Sequence, residues 1–556
     1  MATKTPSQAA KARKPETPRV HPQKQSRKTI DLYIIVMLIA IVVVGLIRLR
    51  LAGIPLERDE GEYAYIGKLM LEGTAPYISA YNMKLPGTYF MYSLIMLVFG
   101  KSIVGIHYGL LIMNSFTMWF LFLGIRRLFN NQVAFICAVL YGFYTISAVV
   151  LGFAAHATHF INFFVAAGIY FMSRTTTSNN KYHVFLLGLM LGLAFLMKQQ
   201  AVYFLFFGGA FIVYHYFPKN RNWVPLAWST GLYALGVILP YLITAGLLFL
   251  SGAFQKFWFW TVEYASTYAS GVTFEEGKQA FAATFDPIYK EYPLVWIFAG
   301  LGLILLFISK YTILQKVIAG SFILFAFLSI TPGFYFRQHY FITLLPAVTL
   351  LSAIALNSIS NFIKGKIKLQ AFAFLSIVFI LFTVGSAFTN NKDYYFKMEP
   401  EEIGRMIYQG NPFDESQEIA NYIKEHSKPS DKIAILGSEP QILFYSDRRS
   451  ATGYLYTYGL MENQPYNKSM QDEMIREIEK EKPKFIIFCR VAFSWLARND
   501  SPKWIFEWSD KYLRNYNLVG IADMPGAGLP SSFVWGKEAG SYIPTGQNSV
   551  LIMERK

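Results

Sequence analysis

Charge is scarce in this chain: 15% of its 556 residues are Asp, Glu, Lys or Arg, against 54% hydrophobic. A soluble enzyme of this length carries nearer a quarter, so that class is excluded. Cysteine is scarcer still, with Cys137 inside an apolar run and Cys489 inside the strand-like segment Lys484-Phe485-Ile486-Ile487-Phe488-Cys489. Two cysteines placed so differently support neither a disulfide nor a thiolate metal site. No internal repeat of the solenoid or inverted-repeat transporter kind is visible. The first apolar run is too long for a signal peptide, and no small-residue cleavage site follows it.

What the chain has in quantity is apolar and aromatic residues: 49 Phe, 36 Tyr and 10 Trp. Ile30 to Arg48 is nearly uninterrupted and long enough to cross a bilayer as a helix. Similar runs recur up to Phe388, and their aromatic residues suit both interface belts and interhelical packing. The fold class expected is therefore a polytopic α-helical membrane protein.

The formal charge of +16 does not mark a nucleic-acid binder. Much of it lies in the N-terminal tail (Lys4, Lys11, Arg13, Lys14, Arg19, Lys24, Arg27, Lys28) and in short turns. That is the distribution of the positive-inside rule. Residues 1–29, rich in Pro, Gln and Ser, are expected to form a disordered basic cytoplasmic tail. Basic turns at Arg126-Arg127, Lys219-Arg221 and Lys364-Lys366-Lys368 then fix one side as cytoplasmic. About eleven spans between residues 30 and 390 satisfy them, with Leu85 to Gly100 set apart as an interfacial or re-entrant helix. This tracing puts residues 52–102 outside as a first loop with interfacial helices. It also leaves Ser251 to Tyr292 as an outer polar loop, and the localisation is the inner, cytoplasmic membrane.

From about 391 to 556 the chain becomes charged. Helical patterns at Ser416–His426 and Ser469–Glu481 alternate with strand-like Lys432–Leu436, Lys484–Cys489, Asn517–Ile521 and Val550–Met553. That alternation predicts an α/β domain, extracytoplasmic by the same tracing.

The chemistry-bearing residues fall on the outer face. Arg58-Asp59-Glu60-Gly61-Glu62-Tyr63 follows the first span, and Lys84-Leu85-Pro86-Gly87 comes soon after. Transfer of a sugar to a hydroxyl needs a base for the acceptor proton, which a carboxylate can supply. A leaving phosphate needs a cation, which a lysine beside a helix start can supply. Arg337, His339 and Tyr340 form a further polar group that could contact phosphate or anchor at the interface. His156 and His159 could join Asp59 or Glu62 around a divalent ion, or be ordinary interface residues.

The segments Asp59–Gly67, Gly73-Thr74-Ala75-Pro76-Tyr77 and Lys84–Tyr89 resemble the first outer loop of GT-C glycosyltransferases, specifically the protein O-mannosyltransferase-like and aminoarabinose-transferase-like bacterial proteins. Gly192–Lys198 and Arg337–Tyr340 are similar to other segments of that group. The resemblance covers roughly residues 30–390. It implies an inverting transferase that uses a polyprenyl-phosphate sugar outside the cytoplasm. Its base falls on Asp59, with Glu60 beside it in the motif, and its phosphate-holding lysine on Lys84. Arg58 and Tyr63 join them as substrate-binding candidates. Leu85 stands where many relatives have a second proline, and Met83 where some have a metal-associated glutamate. No cofactor is required by this reading, and a divalent cation is left open. The partners expected are a polyprenyl-phosphate-linked sugar donor, a cell-envelope acceptor (lipid, glycan or protein) and membrane lipids. A transporter or lipid flippase is the alternative outside enzymes, disfavoured because the spans are almost free of charge. A ligase moving whole glycans stays open within them.

Overall fold

The computed structural model describes residues 27–178, 180–218, 220–363, 369–526 and 529–556. Residues 1–26 of the basic tail, Lys219 and the Lys364–Lys368 turn lie outside these.

Among the described residues, sixteen α-helices lead to Asn390. They are α1 (Arg27–Arg50), α2 (Arg58–Leu71), α3 (Gly87–Phe99), α4 (Ile103–Leu128), α5 (Asn131–Tyr144), α6 (Ala157–Thr177), α7 (Tyr182–Met197) and α8 (Val202–Tyr216). There follow α9 (Val224–Leu250), α10 (Phe254–Trp258), α11 (Ala265–Ala269), α12 (Phe274–Glu291), α13 (Pro293–Ile308), α14 (Ile313–Ser329), α15 (Leu345–Ile363) and α16 (Leu369–Asn390). Helix α4 packs on α5 and α6, α6 on α7, α7 on α9, and α13 on α15. Small residues permit the closest crossings. A Cβ on Gly188 of α7 would lie 2.2 Å from the Tyr233 carbonyl oxygen of α9, and one on Gly192 2.4 Å from that of Val237.

Among the described residues, Leu32–Gly53, Ile103–Leu128, Val224–Leu250 and Leu345–Phe362 are long and apolar enough to cross a bilayer. Helices α12 and α13 count as a fifth only if taken together across a 102° bend. Other apolar helices, such as α3, α5, α7 and α14, run to 17 residues or fewer. At about 1.5 Å per residue these stop short of a bilayer core of about 30 Å. Apolar side chains of α9 such as Leu242, Leu247 and Leu250 face outward, as lipid-facing positions do. The protein is therefore a helical membrane protein, whose expected eleven crossings remain a proposal. One expectation is corrected: Ser251–Tyr292 is a helical excursion rather than an open loop, because α10 and α11 join through a π-helical turn (Phe259–Tyr264) and α12 follows.

Beyond Lys392 the chain builds a six-stranded mixed sheet from β1 (Lys432–Leu436), β2 (Arg449–Ser450), β3 (Phe485–Arg490), β4 (Tyr516–Met524), β5 (Ser532–Trp535) and β6 (Asn548–Arg555). The strand order is β2-β1-β3-β6-β4-β5. β1 is parallel to β2 and β3, and the other neighbours are antiparallel. β2 and β5 escaped the sequence reading because one has two residues and the other four, too few to show alternation.

Helix α2 joins the two parts. Glu57 and Glu60 close a reciprocal capping box at its start. Gly61 lets it meet the backbone of Gln441, in the helix Pro440–Ser446 that follows β1: a Cβ there would lie 2.6 Å from the Gln441 nitrogen. Across this seam Arg58 reaches Glu439, Tyr65 Oη accepts from Ser450 N at 2.8 Å, and Lys68 pairs with Asp447.

Candidate active site

A cavity of about 690 Å³ lies between the loops that join the helices and the sheet-bearing part, within the size range of small-molecule sites. Its walls come from residues 57–59, 81–84, 198–200, 260–268, 332–340, 411, 454–462 and 493–498.

Helix geometry decides what α2 shows to this cavity. Asp59 and Glu62, three apart, share a face, and both meet Lys84: Nζ lies 2.8 Å from Asp59 Oδ1 and 2.7 Å from Glu62 Oε2. Tyr89 Oη donates to the other Glu62 oxygen at 2.6 Å. The ammonium sits 4.6 Å from the Tyr63 ring centroid and 5.3 Å from that of Tyr456. Tyr456, from the C-terminal part, donates its hydroxyl to Asp59 Oδ1 at 3.0 Å. Burial opposes ionisation of Asp59, but the Lys84 ammonium outweighs it and holds the carboxyl well below its usual range. Burial also works against the Lys84 ammonium, which Asp59 and Glu62 nevertheless keep charged.

Glu60 lies about 100° around the helix from Asp59 and is fully buried away from the cavity. Its Oε1 accepts from Ala155 N at 2.6 Å and lies 3.1 Å from His107 Nε2. The structure thus separates Glu60 from Asp59, making it a joint between α2, α4 and the 151–156 turn. Arg58 lines the cavity but is tethered, with its guanidinium on the Ser438 carbonyl, on Asn411 Oδ1 at 3.1 Å and on Glu439 Oε1 at 2.7 Å.

A second cation comes from the α7–α8 turn. A Cβ on Gly87 would lie 2.4 Å from the Leu196 carbonyl oxygen, so α3 starts directly against the end of α7. Thr88 Oγ1 donates to Met197 O at 2.8 Å and Gln199 Nε2 to Met83 O at 2.6 Å. These contacts bring Lys198 to the same cavity as Lys84. Its ammonium lies 4.0 Å from the Tyr340 ring centroid and makes no ion pair among the described residues. Burial, helped by repulsion from Lys84 and Arg337 and opposed by Asp59, pulls its pKa down to about 7. Lys198 closes the segment Gly192–Lys198, whose sequence alone assigns the lysine no role. Arg337 is exposed in the cavity, also without an ion pair among the described residues.

His339 stacks on His156 with centroids 4.1 Å apart. Asp59, His156 and His339 offer ligand atoms all within 4.8 Å of one another, a set that could hold a divalent cation. Burial lowers His156 to about 4, and burial with His156 and Lys198 also lowers His339, so both rings are neutral as ligands must be. His159 and Glu62 do not join this set. His159 is buried outside the cavity, because His156 has extended backbone before α6 and the two do not share a helical face.

A helical membrane bundle joined to a mixed α/β part fits the GT-C fold, and the comparisons agree. Residues 83–243 match the family model described as dolichyl-phosphate-mannose-protein mannosyltransferase. The chain is similar to the Cupriavidus metallidurans ArnT structure bound to undecaprenyl phosphate, at 12% identity and TM-score 0.56, over 95% of this chain and 98% of that one. It is also similar to an Archaeoglobus fulgidus oligosaccharyltransferase tethered to an acceptor peptide, at 12% identity and TM-score 0.51, over 90% of this chain and 74% of that one. No curated protein matches significantly. The chain has the GT-C fold.

Proposed function

We propose that this protein is an inverting glycosyltransferase that moves a sugar from a polyprenyl-phosphate donor to a hydroxyl of a cell-envelope acceptor on the outer face of the cytoplasmic membrane. The observation that carries this reading is the convergence of an ionised Asp59 with cations from two other segments in one cavity. Asp59 takes the acceptor proton as its oxygen attacks the anomeric carbon. Base and leaving group must flank the sugar on opposite faces. Lys84, expected from the sequence to hold the phosphate, is instead bonded to Asp59 and Glu62 and keeps the base ionised and oriented. Lys198 and Arg337, free of carboxylates, take the donor phosphate and stabilise the charge that grows as its bond breaks. Asp59, His156 and His339 would hold a divalent cation if one binds, and it would supply Lewis-acid charge at that end of the cavity.

In proteoliposomes supplied with a polyprenyl-phosphate sugar, Asp59→Asn should lose transfer while donor binding survives. Full turnover in that variant would remove Asp59 as the base. Mass spectrometry of envelope glycans with and without the protein would then identify the sugar and its attachment point.

A further inference from the structure

The proposed reading leaves one side of the cavity unused. Trp260 stands inside the π-helical turn, a rare element that often marks functional positions. It stacks on Tyr81 at 6.0 Å and meets Tyr264 and Tyr454 edge-on at 5.1 and 5.8 Å. All four line the cavity. Each tyrosine hydroxyl is tied to a carboxylate of the C-terminal part: Tyr81 to Glu477 at 3.0 Å, Tyr454 to Glu473 at 2.6 Å, and Tyr264 to Glu462 at 2.9 Å. The rings are thereby fixed, and their polar ends are already satisfied.

Two features ask for a ligand. The Trp260 indole N–H is buried without a partner among the described residues, an unmet donor on a residue that lines the cavity. Glu462 and Arg498 line the same wall without an ion pair among those residues, and Glu462 Oε1 receives no protein hydrogen bond there. Fixed aromatic rings beside free polar groups suit a molecule with apolar C–H faces and a hydroxyl rim. Glu473 is paired with Lys256 and Arg498 stands on this wall, but Glu462 and Glu477 make no ion pair among the described residues, so the wall suits a phosphate less well than the Lys198–Arg337 side.

We infer that this wall is the acceptor subsite and that its ligand is an uncharged sugar ring, so that the acceptor is a glycan rather than a peptide or lipid hydroxyl. The assignment of the ring to the acceptor rests on the proposed glycosyl transfer; binding of a sugar ring here does not.

Saturation-transfer NMR on the full-length protein in nanodiscs tests it, with a panel of hexose and pentose disaccharides and a Ser/Thr-containing octapeptide as probes. Ring protons of at least one disaccharide should be saturated by the native protein and by Asp59→Asn. The signal should fall at least fivefold in Trp260→Phe, which keeps a ring but loses the N–H, and in Glu462→Gln. Thermal melting confirms that both variants are folded. An unchanged signal in both, saturation of the peptide alone, or no saturated disaccharide would overturn the inference. So would a loss confined to binding of a polyprenyl-phosphate sugar, which would make this the donor's ring site. Release of polyprenyl phosphate, followed in parallel, separates the two readings: saturation without any release leaves a sugar site while defeating the transferase.

Discussion

Lys198 is the cavity cation whose charge changes in the working pH range, and that makes the phosphate site testable without knowing the sugar. Its ammonium has a pKa of about 7 in the free protein, whereas Lys84 is held charged by Asp59 and Glu62 and Arg337 is a guanidinium. The protonated form binds an anion, and the bound anion raises that pKa further. Affinity should therefore be flat below pH 7, fall as pH rises through 7, and level off above the pKa of the complex. A hydrogen bond to a charged group is worth about 1.5–3 kcal/mol, or roughly 10- to 100-fold in Kd. The probe should be a short-chain prenyl phosphodiester, which stays monoanionic, unlike a monoester with its second ionisation near pH ~6. Calorimetric titration of the protein in nanodiscs from pH 6 to 9 should show this loss. Lys198→Arg should retain the affinity at high pH, and Lys198→Met should bind weakly throughout. Glu57, which faces the same space with a carboxyl raised by burial, would also weaken anion binding on ionising. The difference between native protein and Lys198→Arg is thus the diagnostic. Equal slopes in the two would refute a phosphate contact through Lys198.

Tyr456→Phe should lower kcat about fivefold for one lost hydrogen bond of about 1 kcal/mol. Its acid limb should move to higher pH, because the bond favours ionised Asp59; an unchanged profile would leave Tyr456 as packing. Glu60→Ala strands the Ala155 N–H and His107, so it should cost about 3 kcal/mol of stability while folded protein keeps its turnover. Normal melting with lost turnover would return Glu60 to the chemistry. Chelation with EDTA should leave transfer intact, because Lys84 already occupies Asp59 Oδ1 and Lys198 adds like charge nearby. Loss reversed by Mn²⁺ would make Asp59, His156 and His339 metal ligands.

Much of the site was legible because its first half is local. Asp59, Glu62 and Lys84 lie within one short loop, and the helix period places the two carboxylates on one face once Arg58–Leu71 is taken as a helix. The same period would have turned Glu60 away, and its spacing from Glu57 was a readable capping box. Helix positions such as Val224–Leu250 and Pro293–Ile308 followed from apolar length alone. Tyr456, Glu439 and Glu462 were not readable, because they meet the first loop and the π-helical turn across hundreds of residues and nothing in their neighbours signals it. Lys198 was visible but ambiguous, since a lysine ending an apolar helix is also a common interface anchor.

The seam along α2 bears on how a long isoprenoid could reach the cavity. Tyr81 N donates to Gly453 O at 2.6 Å, and with Arg58–Glu439, Tyr65–Ser450 and Lys68–Asp447 it rivets the first loop to the sheet-bearing part. Parting that side would strand several buried polar groups at once. The helices between Phe254 and Glu291 meet the same part through the Tyr264–Glu462 hydrogen bond, the Trp260–Tyr454 ring contact and the half-exposed Lys256–Glu473 pair. A long chain would therefore have to reach the cavity without the first loop and the sheet-bearing part coming apart.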